Sequence, residues 1–189
     1  MRFTLTYRGP LRGSKGNVAH KHAVRQALHP QLCELWTHEP LRHKAGTWLD
    51  SAPDASIPEA GVALHEVAGH SFAVLVQARL KLVAELDILL LRPEDPGAIV
   101  QRADIDNRLK TLFDALRRPC TAQEIPTEWT PRAEDPPLHC LLDDDRLITR
   151  VNVDTDRLLA PKSAEDVDLT IKVQLRAWSP TYASVMLIS

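Results

Sequence analysis

This chain of 189 residues has little cysteine, no long apolar run and almost no net charge. Its three cysteines, Cys33, Cys120 and Cys140, are odd in number and widely spaced. That argues against a disulfide framework or a zinc knuckle and for free thiols in a reducing compartment. No apolar run approaches the roughly 20 residues of a membrane span. Residues 1–7 lack the apolar core of a signal peptide and read instead as a first strand. The expectation is a cytoplasmic protein with no membrane partner. A net charge of −2 does not advertise a nucleic-acid binder. No internal repeat is present.

One local shortage matters more. Residues 1–33 contain no Asp or Glu, but do contain Arg2, Arg8, Arg12, Lys15, Lys21 and Arg25. The remaining 156 residues carry 17 basic and 25 acidic groups, a net of −8. A basic end of this kind suits a phosphate backbone, with Arg8, Arg12, Lys15 and Lys21 as the contacting cations. The bland alternative is a solvated face.

At 44% hydrophobic, the chain can build one substantial core, and its length fits a single domain. Phe3, Leu5 and Tyr7 alternate with polar residues, which predicts a half-buried strand. Val18, Val24, Leu28, Leu32 and Leu35 predict a helix over 18–36, kinked or interrupted at Pro30. Residues 37–60 are rich in Pro, Gly, Ala, Ser and Asp and read as an excursion from the core. Strands are expected at 72–76 and about 80–91, then at 147–153 and 167–177. Residues 119–139, with five prolines, read as a surface loop. The order of strand, helix, two strands, helix and two strands predicts an α+β fold, a mixed β-sheet packed with helices.

The most informative stretch is Asp104-Ile105-Asp106-Asn107-Arg108-Leu109-Lys110-Thr111-Leu112-Phe113-Asp114-Ala115-Leu116. Ile105, Leu109, Leu112, Phe113 and Leu116 form one apolar helical face. Asp106, Lys110 and Asp114 form a stripe offset from it. Taken alone, that stripe reads as a surface ion-pair ladder, with Asp104 or Asp106 as an N-cap. The run Asp143-Asp144-Asp145, entering a later strand, changes the balance. Two carboxylates about 4 Å apart repel by roughly 4 kcal/mol at an effective dielectric of 20. A hard divalent cation such as Mg2+ removes that cost, and metal held this way cuts phosphodiesters.

Together, Ala103-Asp104-Ile105-Asp106-Asn107, Lys110, Phe113-Asp114-Ala115-Leu116 and Leu142-Asp143-Asp144-Asp145-Arg146-Leu147-Ile148 resemble the RusA family of Holliday-junction endonucleases. The resemblance covers residues 80–155 best. It implies a small, dimeric α+β nuclease that depends on Mg2+, with Mn2+ as a substitute, and acts on branched DNA in recombination and repair. Carried over by position, Asp104 and Asp106 become metal ligands, and Lys110 offsets charge on the scissile phosphate or positions the attacking water. The third essential carboxylate is Asp144 on an ungapped match and Asp145 on a one-residue shift. Asn107 hydrogen-bonds the ligand loop or the nucleic acid, and Asp114 orients Lys110. Segments of about 37–70 and 119–139 look inserted relative to that family.

Two histidine groups are decoys. His65-Glu66-Val67-Ala68-Gly69-His70 places its histidines five apart, where a helical zinc motif needs four. His20, His22 and His29 sit among basic residues and read as solvated or phosphate-facing. The competing readings are a non-catalytic nucleic-acid-binding module using the basic end, and an interaction protein whose loops dock a partner.

Overall fold

The computed structural model describes residues 1–13, 17–54, 56–57, 59–94, 104–131, 136–181 and 184–188, and of Asp104 the backbone alone. The fold is α+β, as expected, but with two sheets rather than one. The larger has four strands: β1 (Arg2–Pro10), β4 (Leu82–Arg92), β6 (Ile148–Arg157) and β7 (Asp166–Ala177). Their order is β1-β7-β4-β6, antiparallel except for the parallel pair β4–β6. The smaller sheet holds β2 (Leu64–Val67), β3 (His70–Val76) and β5 (Leu138–Leu142) in the order β2-β3-β5. The expected strands at 72–76 and 80–91 therefore lie in different sheets. A short 3-10 turn, Ala78–Leu80, and Lys81 at φ 57° swing the chain from one to the other.

Alternation explains the larger sheet. Leu5 and Tyr7 of β1, Leu82, Ala84, Leu86, Ile88 and Leu90 of β4, and Val167, Leu169, Ile171, Val173 and Leu175 of β7 all face one buried side. Helix α1 (Val18–Leu35) packs against β1 and β5, between the two sheets. It begins on Asn17, whose side chain accepts the His20 N–H, and runs through Pro30 without interruption. Among the described residues no helix is long and apolar enough to cross a membrane.

Two segments read as excursions contribute to the core. Helix α2 (Leu41–Trp48) buries Leu41 and Trp48 completely, and the Trp48 indole N–H donates to Glu59 at 3.0 Å. Val62 and Ala63 join the same core. In the 119–139 loop, Ile125 and Trp129 close a second, smaller core with Phe72, Val74, Leu138 and Cys140. All three cysteines are free, and burial pushes the Cys140 thiol up to about 12.

The histidine spacing at His65 and His70 proves to be a hairpin. Val67 pairs with His70 across a two-residue turn in which Ala68 and Gly69 both have positive φ. Nor is the histidine set of α1 solvated as read. His22 is buried, and the His29 ring accepts the His139 backbone N–H at 2.9 Å.

Helix α3 (Asp104–Leu116) carries the acidic motif. Its C-terminal carbonyls have no partners within the helix. The buried Arg25 guanidinium supplies them, donating to Asp114 O at 2.7 Å and Arg117 O at 3.0 Å. A third arm donates to His22 Nδ1. The cation also complements the helix dipole. Replacing Arg25 with Met strands these acceptors in a buried place, so stability should fall by about 3 kcal/mol. Urea unfolding measures it, and a loss under about 1 kcal/mol would refute the clamp.

Candidate active site

The apolar face of α3 forms as the periodicity predicts. Ile105, Leu112, Ala115 and Leu116 are buried, while Leu109 and Phe113 are partly buried against the main core. Arg108 occupies the same face and is nearly buried. Its guanidinium lies 3.0 Å from Glu94, tying the helix to the end of β4. A cation at i+3 from Ile105 and i−4 from Leu112 was the sequence signal for this anchor.

The offset stripe divides. Asp114 is half-buried and pairs with Lys21 at 2.6 Å and Arg117 at 3.3 Å. It therefore orients Lys21 and Arg117, not Lys110 as the resemblance suggested. Asp106 and Lys110 are exposed, and Asn107 is half-buried. Neither Asp106 nor Lys110 makes an ion pair among the described residues, so the simple ladder is not formed.

The acidic run also divides. The Asp143 backbone N–H donates to Val76 O at 2.9 Å, and its carboxylate accepts from Arg118 at 2.5 Å. This fastens Asp143 beside the C-terminal end of α3. Asp144 caps the 3-10 turn Asp145–Leu147 and takes both Arg146 Nε and Nη2, at 3.0 and 2.7 Å. The Arg146 guanidinium holds the Asp144 carboxyl down to about 2. Asp145 is exposed. The turn itself packs against α3 and β4.

Part of the basic segment meets the same helix, and part meets β7. Thr111 Oγ1 donates to Gly13 O at 3.4 Å, and Lys21 reaches Asp114. Arg8 pairs with Asp168 at 2.7 Å and Arg12 with Glu165 at 2.7 Å. Both arginines are largely exposed, and exposed pairs of this type are worth only about 0–1 kcal/mol. Lys15 lies outside the described residues. A cavity of about 770 Å3 opens away from α3, where Arg8, Arg157 and Lys162 meet Leu91, Leu158 and Val167.

The donor set fits Mg2+ in kind, since every candidate ligand is a hard carboxylate oxygen. In position the described side chains do not complete it. Among them, no three His, Cys, Asp or Glu residues group closely enough to hold a metal ion. The Asp104 carboxylate lies outside the described residues. No family model, curated protein or solved structure matches this chain.

Proposed function

We propose that the chain is a metal-dependent endonuclease that hydrolyses phosphodiesters in branched DNA, four-way junctions in particular, and works as a homodimer in recombination or repair. The observation that carries this reading is the exposed, unspent pair Asp106 and Lys110. Around them Asp114, Asp143, Asp144 and Arg108 are all engaged. A carboxylate and an ammonium one turn apart, left to solvent beside a basic loop, suit an anionic substrate. The resemblance of the Asp-x-Asp-Asn helix start and the acidic run to RusA-type nucleases supplies the reaction class.

Asp104 and Asp106, with Asp144 or Asp145, would hold Mg2+, which supplies water activation and stabilisation of the departing 3′ oxygen. Lys110 then offsets charge developing on the scissile phosphate. Asn107 would hydrogen-bond the ligand loop or the nucleic acid. Arg8, Arg12, Lys15 and Lys21 hold the strand by its backbone, a contact that weakens steeply with salt.

The test is cleavage of a labelled four-way junction against duplex and single-stranded controls, with Mg2+ and with EDTA. Paired, metal-dependent nicks confined to the junction are expected. Cutting of the controls as well would retain the site and discard the junction preference. Salt-sensitive binding without cutting would replace the nuclease with a binding module.

A further inference from the structure

The two edges of the four-stranded sheet are treated differently. The β1 edge is closed: Gln31 of α1 accepts the Thr6 N–H at 2.9 Å and donates to Thr6 O at 2.8 Å. Pro10 ends that strand. The β6 edge has none of these guards. It is ten residues long, contains no Pro or Lys, and pairs with no other strand among the described residues on its outer side. Bare edges of this length are a standing invitation to strand pairing, which proteins normally block.

The central seven residues of β6, 149–155, are their own complement. Reading outward from Asn152, Val151 faces Val153, then Arg150 faces Asp154, then Thr149 faces Thr155. An antiparallel pair about a two-fold axis at Asn152 therefore sets Arg150 of each copy opposite Asp154 of the other. It also sets valine opposite valine, twice over. Such reciprocity is what a two-fold interface requires. The faces agree too. Arg150 stands on the outer face, bonded to Glu85 and Asp87, and Asp154 is in register with exposed Leu89. Val151 and Val153 are in register with Leu86 and Ile88 on the buried face. Val151 is nonetheless 40% exposed, an apolar side chain without cover.

We propose that a second copy of this chain pairs on the β6 edge, antiparallel and centred on Asn152, to give one continuous eight-stranded sheet. Arg150 then lies between Asp87 of its own chain and Asp154 of the second copy. The same register carries Arg157 of the second copy to the end of β6 where the acidic turn begins. This interface gives the homodimer proposed above its surface and rests on that reading for its occupant, while needing nothing of the chemistry at α3.

Sedimentation and disulfide trapping test it. The native chain should sediment as a dimer. Asp154→Arg sets like charges opposite each other at two symmetric places, and should weaken the dimer by roughly tenfold or more. Asn152→Cys, in a Cys120→Ser background because Cys120 is exposed, places two thiols across the axis. Their Cβ atoms would lie about 4.5–5.5 Å apart, close to disulfide reach. It should cross-link under mild oxidation, whereas Thr4→Cys on the guarded edge should not. A monomer at roughly 100 µM, or a dimer in which Asn152→Cys cross-links no better than Thr4→Cys, would overturn the proposal. Trapping reads the interface alone, so its failure is distinct from a failure of cleavage.

Discussion

Asp106→Asn is expected to lower phosphodiester cleavage by at least about a hundredfold, with folding and DNA binding nearly unchanged. The substitution keeps the size and shape of the side chain and removes its charge. Asp106 is exposed near the start of α3 and spends its carboxylate on no ion pair among the described residues. A surface change of that kind alters stability by less than about 0.5 kcal/mol. A loss of activity would therefore report the carboxylate itself. Asp143→Asn supplies the contrast. Asp143 is tied to Arg118, so its loss should loosen the junction of α3 with the acidic run and reduce stability more than cleavage. Asp144→Asn should do both, because it frees Arg146 and removes a candidate ligand. Residual cutting by Asp106→Asn within tenfold of the native chain would end the role assigned to it.

The acidic helix was legible because its signal is local. Five apolar residues at helical spacing fix both the element and its buried face, and Asp106 and Lys110 follow on the exposed side. Strands β1, β4 and β7 were legible for the same reason, since period-2 alternation needs one buried face and one wet one. Strand β5 was not. All five of its residues are buried, so it shows no alternation, and it follows a proline-rich loop. Helix α2 was hidden by the Pro, Gly and Ser content around it, although Trp48 is a large side chain that a surface excursion has little use for. Charge pairing was the least legible level. Asp114 lies one turn from Lys110 in sequence, yet it pairs with Lys21 from another helix. Arg25 and Arg108 sit on apolar helical faces, where a cation needs a buried partner. That requirement can be read from the sequence; the partner's identity cannot.

Acid should unfold this protein well above the usual carboxylate range. Two buried histidines hold α1 against the smaller sheet and its loop. The His22 ring lies 4.4 Å from Trp129 and accepts from Arg25 at Nδ1, so a second proton there would face a guanidinium. The His139 ring lies beside His29 and Trp36, with Nδ1 on Pro137 O. Burial is the largest cause holding each at about 4, against an ordinary 6.5, reinforced by Arg25 for His22 and by His29 for His139. Because these folded-state values are depressed, the unfolded chain takes up protons first as pH falls. The stabilisation is complete above pH 6.5 and is lost as pH descends towards 4. Each histidine contributes about 3 kcal/mol by linkage, of which roughly 2 is gone at pH 5. Together the two should cost about 4 kcal/mol between pH 7.5 and pH 5, a large share of the 5–15 kcal/mol a domain has. Burial lowers His20, His29 and His65 as well, which adds slope of the same sign. Urea unfolding at several pH values measures the loss. His139→Gln should remove about one proton from the slope near pH 5.5. A stability that stays flat from pH 7.5 to 5 would show that these rings are not held neutral. The first structure lost should be the smaller core, where Trp129 sits between His22, His70 and Phe72. Tryptophan fluorescence should therefore change before the α3 site disassembles.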